Sequence, residues 1–165
     1  MDFYYPNFQN DMWKIYGLIF FEDPNYFLDK ENKLFKEALL KDFLRHVGVA
    51  IYDTAYQVQR LKENASDQFL KIVQRADMTL LLNQIPDCHH IMTTGDKATE
   101  TLIESLNSNH PTKLKIGESA QIEFINRQIQ IHRMPSSSRA YPLALEKKAE
   151  YYRELFRRIG LIRPL

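Results

Sequence analysis

Cysteine is nearly absent from this sequence, because Cys88 is the only one among 165 residues. A single thiol excludes an intrachain disulfide, a zinc-finger array and a CxxC redox motif. Long apolar runs are absent too: none approaches the roughly 18 residues that a membrane-spanning helix needs, and no basic region followed by an apolar stretch marks a signal peptide. We therefore expect a cytoplasmic protein that has no membrane partner.

The sequence also lacks an excess of charge of one sign. Lysine and arginine number 22, aspartate and glutamate number 21, and the formal net charge is +1. The field around such a molecule does not attract polyanions as a whole, so an anionic partner must be met by a local patch. With 44% hydrophobic residues and no internal repeat, linker or low-complexity tract, the chain predicts one compact domain over residues 1–165.

Aromatic residues crowd the start of the chain, where a terminus normally frays. They are Phe3, Tyr4, Tyr5, Phe8, Trp13, Tyr16, Phe20 and Phe21. We therefore expect another part of the chain to cover this segment.

Apolar spacing predicts the elements of the first half of the chain. A helix is expected over residues 29–46, with a stop at Gly48 and a stripe made of Phe35, Leu39, Phe43 and Leu44. The continuous run over residues 47–52 predicts a strand buried on both faces of a parallel sheet, with Asp53 at its C-terminal end. Ser66 is expected to cap a helix that carries Phe69, Ile72, Val73 and Ala76, and residues 78–85 predict another short helix.

Strand and helix patterns alternate through the second half as well. Residues 90–93 predict a strand that reaches Thr94-Gly95, followed by a helix with Ala98, Leu102, Ile103 and Leu106 on one side. Residues 122–131 predict a hairpin or two short strands around Asn126-Arg127, leading into Met134. The last helix is expected to carry Leu145, Ala149, Tyr152, Phe156 and Ile159 up to Gly160. This alternation favours an α/β fold, namely a three-layer α/β/α sandwich around a short, mainly parallel sheet, with a ligand site at the carboxyl ends of the strands.

One loop and two further segments resemble a known superfamily. Residues 132–140 read His-Arg-Met-Pro-Ser-Ser-Ser-Arg-Ala and precede a helix with Tyr151 and Tyr152. This loop resembles the second signature of the uracil-DNA glycosylase superfamily, in its thymine-DNA glycosylase form. Residues 4–13, and residues 49–53 with the Ser66-Asp67 pair, resemble the hypoxanthine-DNA glycosylase branch. The resemblance covers nearly the whole chain, and the order of the three segments strengthens it.

The resemblance implies a monofunctional DNA glycosylase of base-excision repair, which hydrolyses the N-glycosidic bond of a flipped deaminated or mismatched base of the uracil, thymine or hypoxanthine type. Its partner is DNA that contains such a base, no cofactor is implied, and we expect a monomer. A glycosylase that also cuts the strand uses an amine nucleophile, and no lysine lies in the three segments. Two other hypotheses remain open: an inactive DNA-binding homologue, and a small-molecule hydrolase or nucleotide-binding domain.

The superfamily has one element that this sequence does not show. A strand ending in a Gly- and Pro-containing first signature precedes the aromatic segment and helps to position the attacking water. Here Met1 stands directly in front of Phe3-Tyr4-Tyr5. Either residues that precede Met1 are missing from this sequence, or the protein dispenses with that strand, so we expect the domain as given to lack it.

The chemistry of base release indicates which residues of the resembling segments matter. A flipped base needs a pocket that replaces lost stacking, so Tyr4, Tyr5 and Phe8 are candidates for base binding, or else ordinary core residues. The candidate catalytic residues are Asn10 and Asp53. Asn10 can hold a water or the base edge, or cap a helix. Asp53 can read a base edge or orient water, or form a turn.

The serine-rich loop is the candidate DNA-binding element. Ser136, Ser137 and Ser138 offer hydroxyls and backbone N–H groups to DNA phosphates, or else form a helix-capping turn. Arg139 is similar to the wedge position of thymine-DNA glycosylases, although it stands one place early, and Tyr141 or Leu143 can share this task. The last helix adds a basic side that lies near DNA or is merely solvated: Lys147, Lys148, Arg153, Arg157 and Arg158.

Histidine and cysteine offer little chemistry here. His132 can donate a proton to a leaving base, but alternation with Ile131 favours a packed or solvated strand histidine. Cys88, His89 and His90 are adjacent, yet neighbouring side chains on a strand diverge. No metal site is therefore expected.

Overall fold

The computed structural model describes residues 1–60, 70–106 and 113–163. The chain forms two compact units: unit 1 comprises Met1–Tyr52 and Pro135–Leu165, and unit 2 comprises Asp53–Met134. The mixed α/β content is confirmed, whereas the single domain stays a prediction. Within the described ranges, no helix has the length and apolar character that crossing a bilayer requires.

Helices and strands are present in both units. In chain order they are α1 (Met12–Phe21), β1 (Leu28–Asp29), β2 (Leu34–Phe35), α2 (Glu37–Val47), β3 (Ala55–Arg60), β4 (Leu70–Arg75), α3 (Met78–Gln84), β5 (His90–Thr94), α4 (Asp96–Ser105), β6 (Ser119–Phe124), β7 (Arg127–Met134) and α5 (Leu145–Arg158). Unit 1 contains α1, β1, β2, α2 and α5, and the other elements lie in unit 2.

Unit 1 is built on an aromatic core between α1 and α5. Trp13 and Tyr152 have 0% exposure and Tyr16 has 1%. The ring of Tyr16 meets that of Phe156 edge to face at 5.4 Å, and Phe20 packs on the same ring at 5.8 Å. Such aromatic pairs add about 1 kcal/mol each to the free energy gained by burial. The expected cover over the aromatic start of the chain is therefore confirmed for Trp13 and Tyr16, with α5 supplying part of it, whereas Phe21 is 37% exposed.

The predicted last helix is also confirmed. Its stripe buries Ala149, Tyr152 and Phe156 towards the core of unit 1. Gly160 follows α5 with φ +76, a left-handed conformation that glycine adopts without steric cost.

The second helix of unit 1 begins later than predicted. The helix expected over residues 29–46 is wrong up to Lys36, because β1 and β2 form a short antiparallel hairpin there. The carboxylate of Asp29 accepts hydrogen bonds from the backbone amides of Glu31 and Asn32 at 3.1 and 3.2 Å. A side chain that bonds its own backbone in this way stabilises a turn in place of a helix.

The strand predicted to precede Asp53 is absent. Residues 49–53 follow α2 without regular secondary structure. A strand buried on both faces of a parallel sheet keeps its side chains out of water, yet Ala50, Tyr52 and Asp53 are exposed. The prediction is therefore wrong, and Asp53 lies in the segment that leads into β3.

The helix predicted after Ser66 is wrong as well. Strand β4 covers the positions of Ile72 and Val73 and pairs antiparallel with β3, and Ala76 follows it as a buried residue. β-Branched residues favour a strand when a partner strand is present. Ser66 and Phe69 themselves lie outside the described residues.

Unit 2 contains a mixed sheet in the order β5-β7-β6. Strand β5 runs parallel to β7, and β6 runs antiparallel to it with Ile122 opposite Ile129. The predicted strand at residues 90–93 and the hairpin are confirmed. The turn lies at Ile125 and Asn126, which have φ +52 and +57, as a two-residue hairpin turn requires. A mainly parallel sheet is not confirmed.

The helices predicted at residues 78–85 and after Gly95 are confirmed and cover the same apolar core. Helix α3 begins after Asp77, whose carboxylate accepts a hydrogen bond from the amide of Leu80 at 2.9 Å. Helix α4 buries Leu102 and Ile103 in one cluster with Ile131 of β7.

Candidate functional site

Two segments of unit 1 carry most of the predicted site residues. We call residues 1–11 the opening segment and residues 135–143 the serine loop. The backbone amide of Asp11 donates to the carbonyl oxygen of Ser137 at 2.9 Å. The structure therefore brings the two segments together at the N-terminus of α1.

Trp13 holds the opening segment in place. Its indole Nε1–H donates to the carbonyl oxygen of Tyr4 at 3.0 Å, and its ring stacks on Phe3 at 5.8 Å. A fully buried N–H needs such a partner, because an unpaired one costs about 1–3 kcal/mol. The opening segment is accordingly folded over Trp13.

The predicted base-binding residues Tyr4, Tyr5 and Phe8 are all half-buried. The Tyr5 ring lies edge-on to Trp13 at 6.0 Å, and its backbone adopts φ +53. A left-handed conformation costs a non-glycine residue about 1 kcal/mol, and such strain is typical of ligand sites. Half-burial is compatible with both predicted roles, base stacking and core packing.

Asn10 does not occupy the predicted N-cap position of α1, which is Asp11, but its side chain accepts a hydrogen bond from the first free amide of that helix. The backbone amide of Met12 donates to Asn10 Oδ1 at 2.9 Å. The backbone amide of Asn10 donates to the carbonyl oxygen of Asn7 at 2.8 Å. Because Oδ1 is engaged, the side-chain group that can turn towards a ligand is the amino group, a hydrogen-bond donor.

Buried tyrosine hydroxyls lie beneath this site. Burial raises the pKa of Tyr16 and of Tyr152 well above the ordinary value, and the nearby Tyr5 phenol raises both further. The hydroxyl of Tyr152 donates to the carbonyl oxygen of Pro135 at 3.0 Å. This bond ties the start of the serine loop to α5.

The buried phenols of Tyr16 and Tyr152 predict that the protein loses stability in alkaline solution. Their pKa is raised in the folded state, so the stability they contribute is present below the unfolded value and is lost as pH rises above about 10. Urea unfolding should show a lower free energy of unfolding at about pH 11 than at about pH 8. Tyr16→Phe should flatten this dependence, and equal stability of the native chain at both pH values would contradict the prediction.

The serine loop does not cap α5. The helix begins at Leu145, and its N-cap Ala144 makes no side-chain bond. Instead, Ser136 Oγ accepts from the amide of Ser138 at 3.2 Å, within the loop itself. Ser137 is buried at 3%, whereas Ser138 is exposed, so the loop presents its serines to solvent unequally.

The predicted wedge lies in the outer part of the serine loop. Arg139 is exposed, whereas Tyr141 and Leu143 are half-buried. The amide of Tyr141 donates to the carbonyl oxygen of Ser138 at 3.1 Å, which closes a turn around Arg139. The guanidinium is thereby presented outward on a short, hydrogen-bonded turn.

Lys148 occupies a different place from the one predicted. The expectation that it belongs to a basic, DNA-facing or solvated side of α5 is wrong, because its side chain has 0% exposure. Its Nζ lies 2.7 Å from Asp11 Oδ2 and donates to the carbonyl oxygen of Ser138 at 2.8 Å. Lys147, the next residue, does face solvent and pairs with Glu150 at 3.0 Å.

The sequence position of Lys148 indicates a buried side chain, although its charge suggests an exposed one. It stands three residues after Leu145 and four before Tyr152, the spacing of one helix face. A lysine on an apolar stripe needs a buried acceptor. Asp11 is that acceptor, although no pattern in the sequence links two residues so far apart.

Asp53 is the first residue of unit 2, whereas Asn10 belongs to unit 1. Its side chain is exposed, yet partial desolvation raises the pKa of its carboxyl. His132, also in unit 2, is buried at 1%, with Nδ1 at 2.7 Å from Ser119 Oγ and Nε2 at 3.1 Å from Nδ1 of His90. His132 is therefore a packed strand histidine.

Neither the distribution of metal-binding side chains nor the groove beside the serine loop gives further support to a ligand site. In the described parts of the chain, no three His, Cys, Asp or Glu side chains are grouped so that they could hold a metal ion. A shallow groove beside the serine loop is lined by Leu143, Lys147, Glu150, Tyr151 and Glu154. Its carboxylates do not suit a phosphate.

Comparison with known proteins adds no relative: no family model, no curated protein and no solved structure matches this chain. The functional proposal is therefore built on the geometry of unit 1 and on the resemblance of its segments.

Proposed function

We propose that this protein is a monofunctional DNA glycosylase, which hydrolyses the N-glycosidic bond of a flipped deaminated or mismatched base and leaves an abasic site. The observation that carries the proposal is the 2.9 Å hydrogen bond from the Asp11 amide to the carbonyl oxygen of Ser137. It brings together two segments that resemble separate signatures of the uracil-DNA glycosylase superfamily. Signatures of one superfamily serve one site, so contact between the segments that resemble them supports the proposal.

Asn10 supplies the catalytic contact in this proposal. As the glycosidic bond breaks, the base departs with negative charge on its oxygens, and fixed donors lower the barrier to this step. The Asn10 amino group is such a donor, because the amide of Met12 already holds the Asn10 oxygen at 2.9 Å. The half-buried rings of Tyr4, Tyr5 and Phe8 provide faces on which the base stacks.

The serine loop grips the DNA around the flipped nucleotide. The exposed Ser138 and the half-buried Ser136 donate to phosphates. Arg139, exposed on its turn, enters the stack and fills the hole that the flipped nucleotide leaves.

Several finer features belong to the same proposal. They are the three-layer α/β/α arrangement with a mainly parallel sheet, water as the only second substrate, a monomeric state and a cytoplasmic location.

The direct test is base release from DNA. Duplex oligonucleotides with a uracil, a mismatched thymine or a hypoxanthine are incubated with excess protein, and abasic sites are detected by alkaline cleavage. We expect release from at least one of these substrates, without strand cleavage before alkali is added. Salt-sensitive DNA binding with no release from any substrate would favour the inactive homologue, and no binding at all would contradict both.

A further inference from the structure

Lys148 combines complete burial with a positive charge. Its Nζ lies 2.7 Å from Asp11 Oδ2 and 2.8 Å from the carbonyl oxygen of Ser138, and the Tyr141 ring centroid is 5.9 Å away. An ammonium has three N–H donors, and removing it from water is costly unless protein groups replace the lost hydration. The charge is therefore stable at this position only while Asp11 and the serine loop both stay in place.

This contact joins Asp11 to the serine loop a second time. The Asp11 amide bonds to the carbonyl oxygen of Ser137, and the Asp11 carboxylate reaches the carbonyl oxygen of Ser138 through the Lys148 ammonium. Asn10 directly precedes Asp11 in the chain. The position of the Asn10 side-chain amide relative to the serine loop consequently depends on both contacts.

We infer that Lys148 is a positioning residue for base release, an inference that rests on the proposed function. It acts through Asp11 and Ser138 and does not touch DNA, because no part of its side chain is exposed. An amine nucleophile must reach the sugar. Lys148 does not meet this condition, because its side chain is fully buried and held by Asp11.

The test separates positioning from stability by single-turnover kinetics with excess protein. The amplitude of the reaction reports the fraction of active molecules, and the rate constant reports the geometry of the active ones. Lys148→Met keeps the apolar stem and removes the charge. We expect its rate constant to fall about tenfold or more, because small displacements of catalytic groups are costly. DNA affinity should change much less.

Lys14→Met is the matched control. Lys14 also faces Asp11, with its Nζ 4.0 Å from Oδ1, but its side chain is partly exposed. Removing this surface charge should leave the rate constant within about twofold of the native value. A normal rate constant with reduced amplitude in Lys148→Met would show a merely structural role and would overturn the inference.

A second measurement keeps the inference testable if Lys148→Met does not fold or if the native protein releases no base. Asp11→Asn weakens the same contact while keeping a hydrogen-bond acceptor. Amide hydrogen exchange in this variant should increase around residues 10–12 and 136–141, with other parts of α5 unchanged. Increased exchange without base release by the native protein would reject the proposed function but retain the structural link. Unchanged exchange would reject the link itself.

Discussion

Asn10→Ala is expected to lower the rate constant of base release by about 100-fold or more. Loss of one fixed donor to a developing negative charge typically costs this much. The variant also loses the bond from the Met12 amide to Asn10 Oδ1, a cap whose removal destabilises a helix by about 1 kcal/mol. Single-turnover base release and urea unfolding measure the two effects separately.

Asn10→Asp distinguishes the catalytic effect from the capping effect. Aspartate keeps an oxygen for the Met12 amide, so unit 1 should unfold at the same urea concentration as the native protein. It replaces the donor by a carboxylate, which repels the departing anion, so base release should be as slow as in Asn10→Ala. Gln9→Ala, next to the site and exposed, is the control. Activity of either Asn10 variant within threefold of that control would remove Asn10 from the site, because about threefold is far below the effect of a lost donor.

Sequence alone predicts the elements whose apolar pattern is long enough to distinguish the period of a helix from that of a strand. Helix α5 has an apolar stripe over four turns, and the hairpin of β6 and β7 alternates on both sides of its turn. The run over residues 47–52 is too short to fix a period, and its exposure is set by the fold around it. Strand β4 depends on pairing with β3, which a local pattern does not contain.

The candidate site could be predicted in the same partial way. The resemblance places the opening segment and the serine loop in one site, and the hydrogen bond from Asp11 to Ser137 is consistent with that expectation. Capping and catalysis use the same Asn10 side chain, so the sequence leaves both open, and only the bond to Met12 shows which atom is engaged. The charge of Lys148 predicts a solvated or DNA-facing side chain, although its position on the helix face predicts burial.

Trp13→Ala is expected to destabilise unit 1 by about 3–5 kcal/mol, the usual cost of removing a large buried ring. The ring is fully buried, contacts Phe3, Tyr5 and Tyr16, and donates to the carbonyl oxygen of Tyr4. Its loss leaves a cavity and removes the anchor of the opening segment. Denaturant unfolding followed by circular dichroism is the suitable measurement, because Trp13 is the only tryptophan and its fluorescence is lost with it.

Trp13→Phe separates the hydrogen bond from the packing. Phenylalanine fills part of the space but cannot donate to the carbonyl oxygen of Tyr4, so an intermediate loss of about 1–3 kcal/mol is expected. Leu34→Ala, at a 47% exposed apolar position of unit 1, should cost less than about 1 kcal/mol and serves as the control. If Trp13→Ala lowered the free energy of unfolding no more than Leu34→Ala does, Trp13 would not anchor the opening segment. The half-buried rings of Tyr4 and Tyr5 would then have no fixed scaffold on which to receive a base.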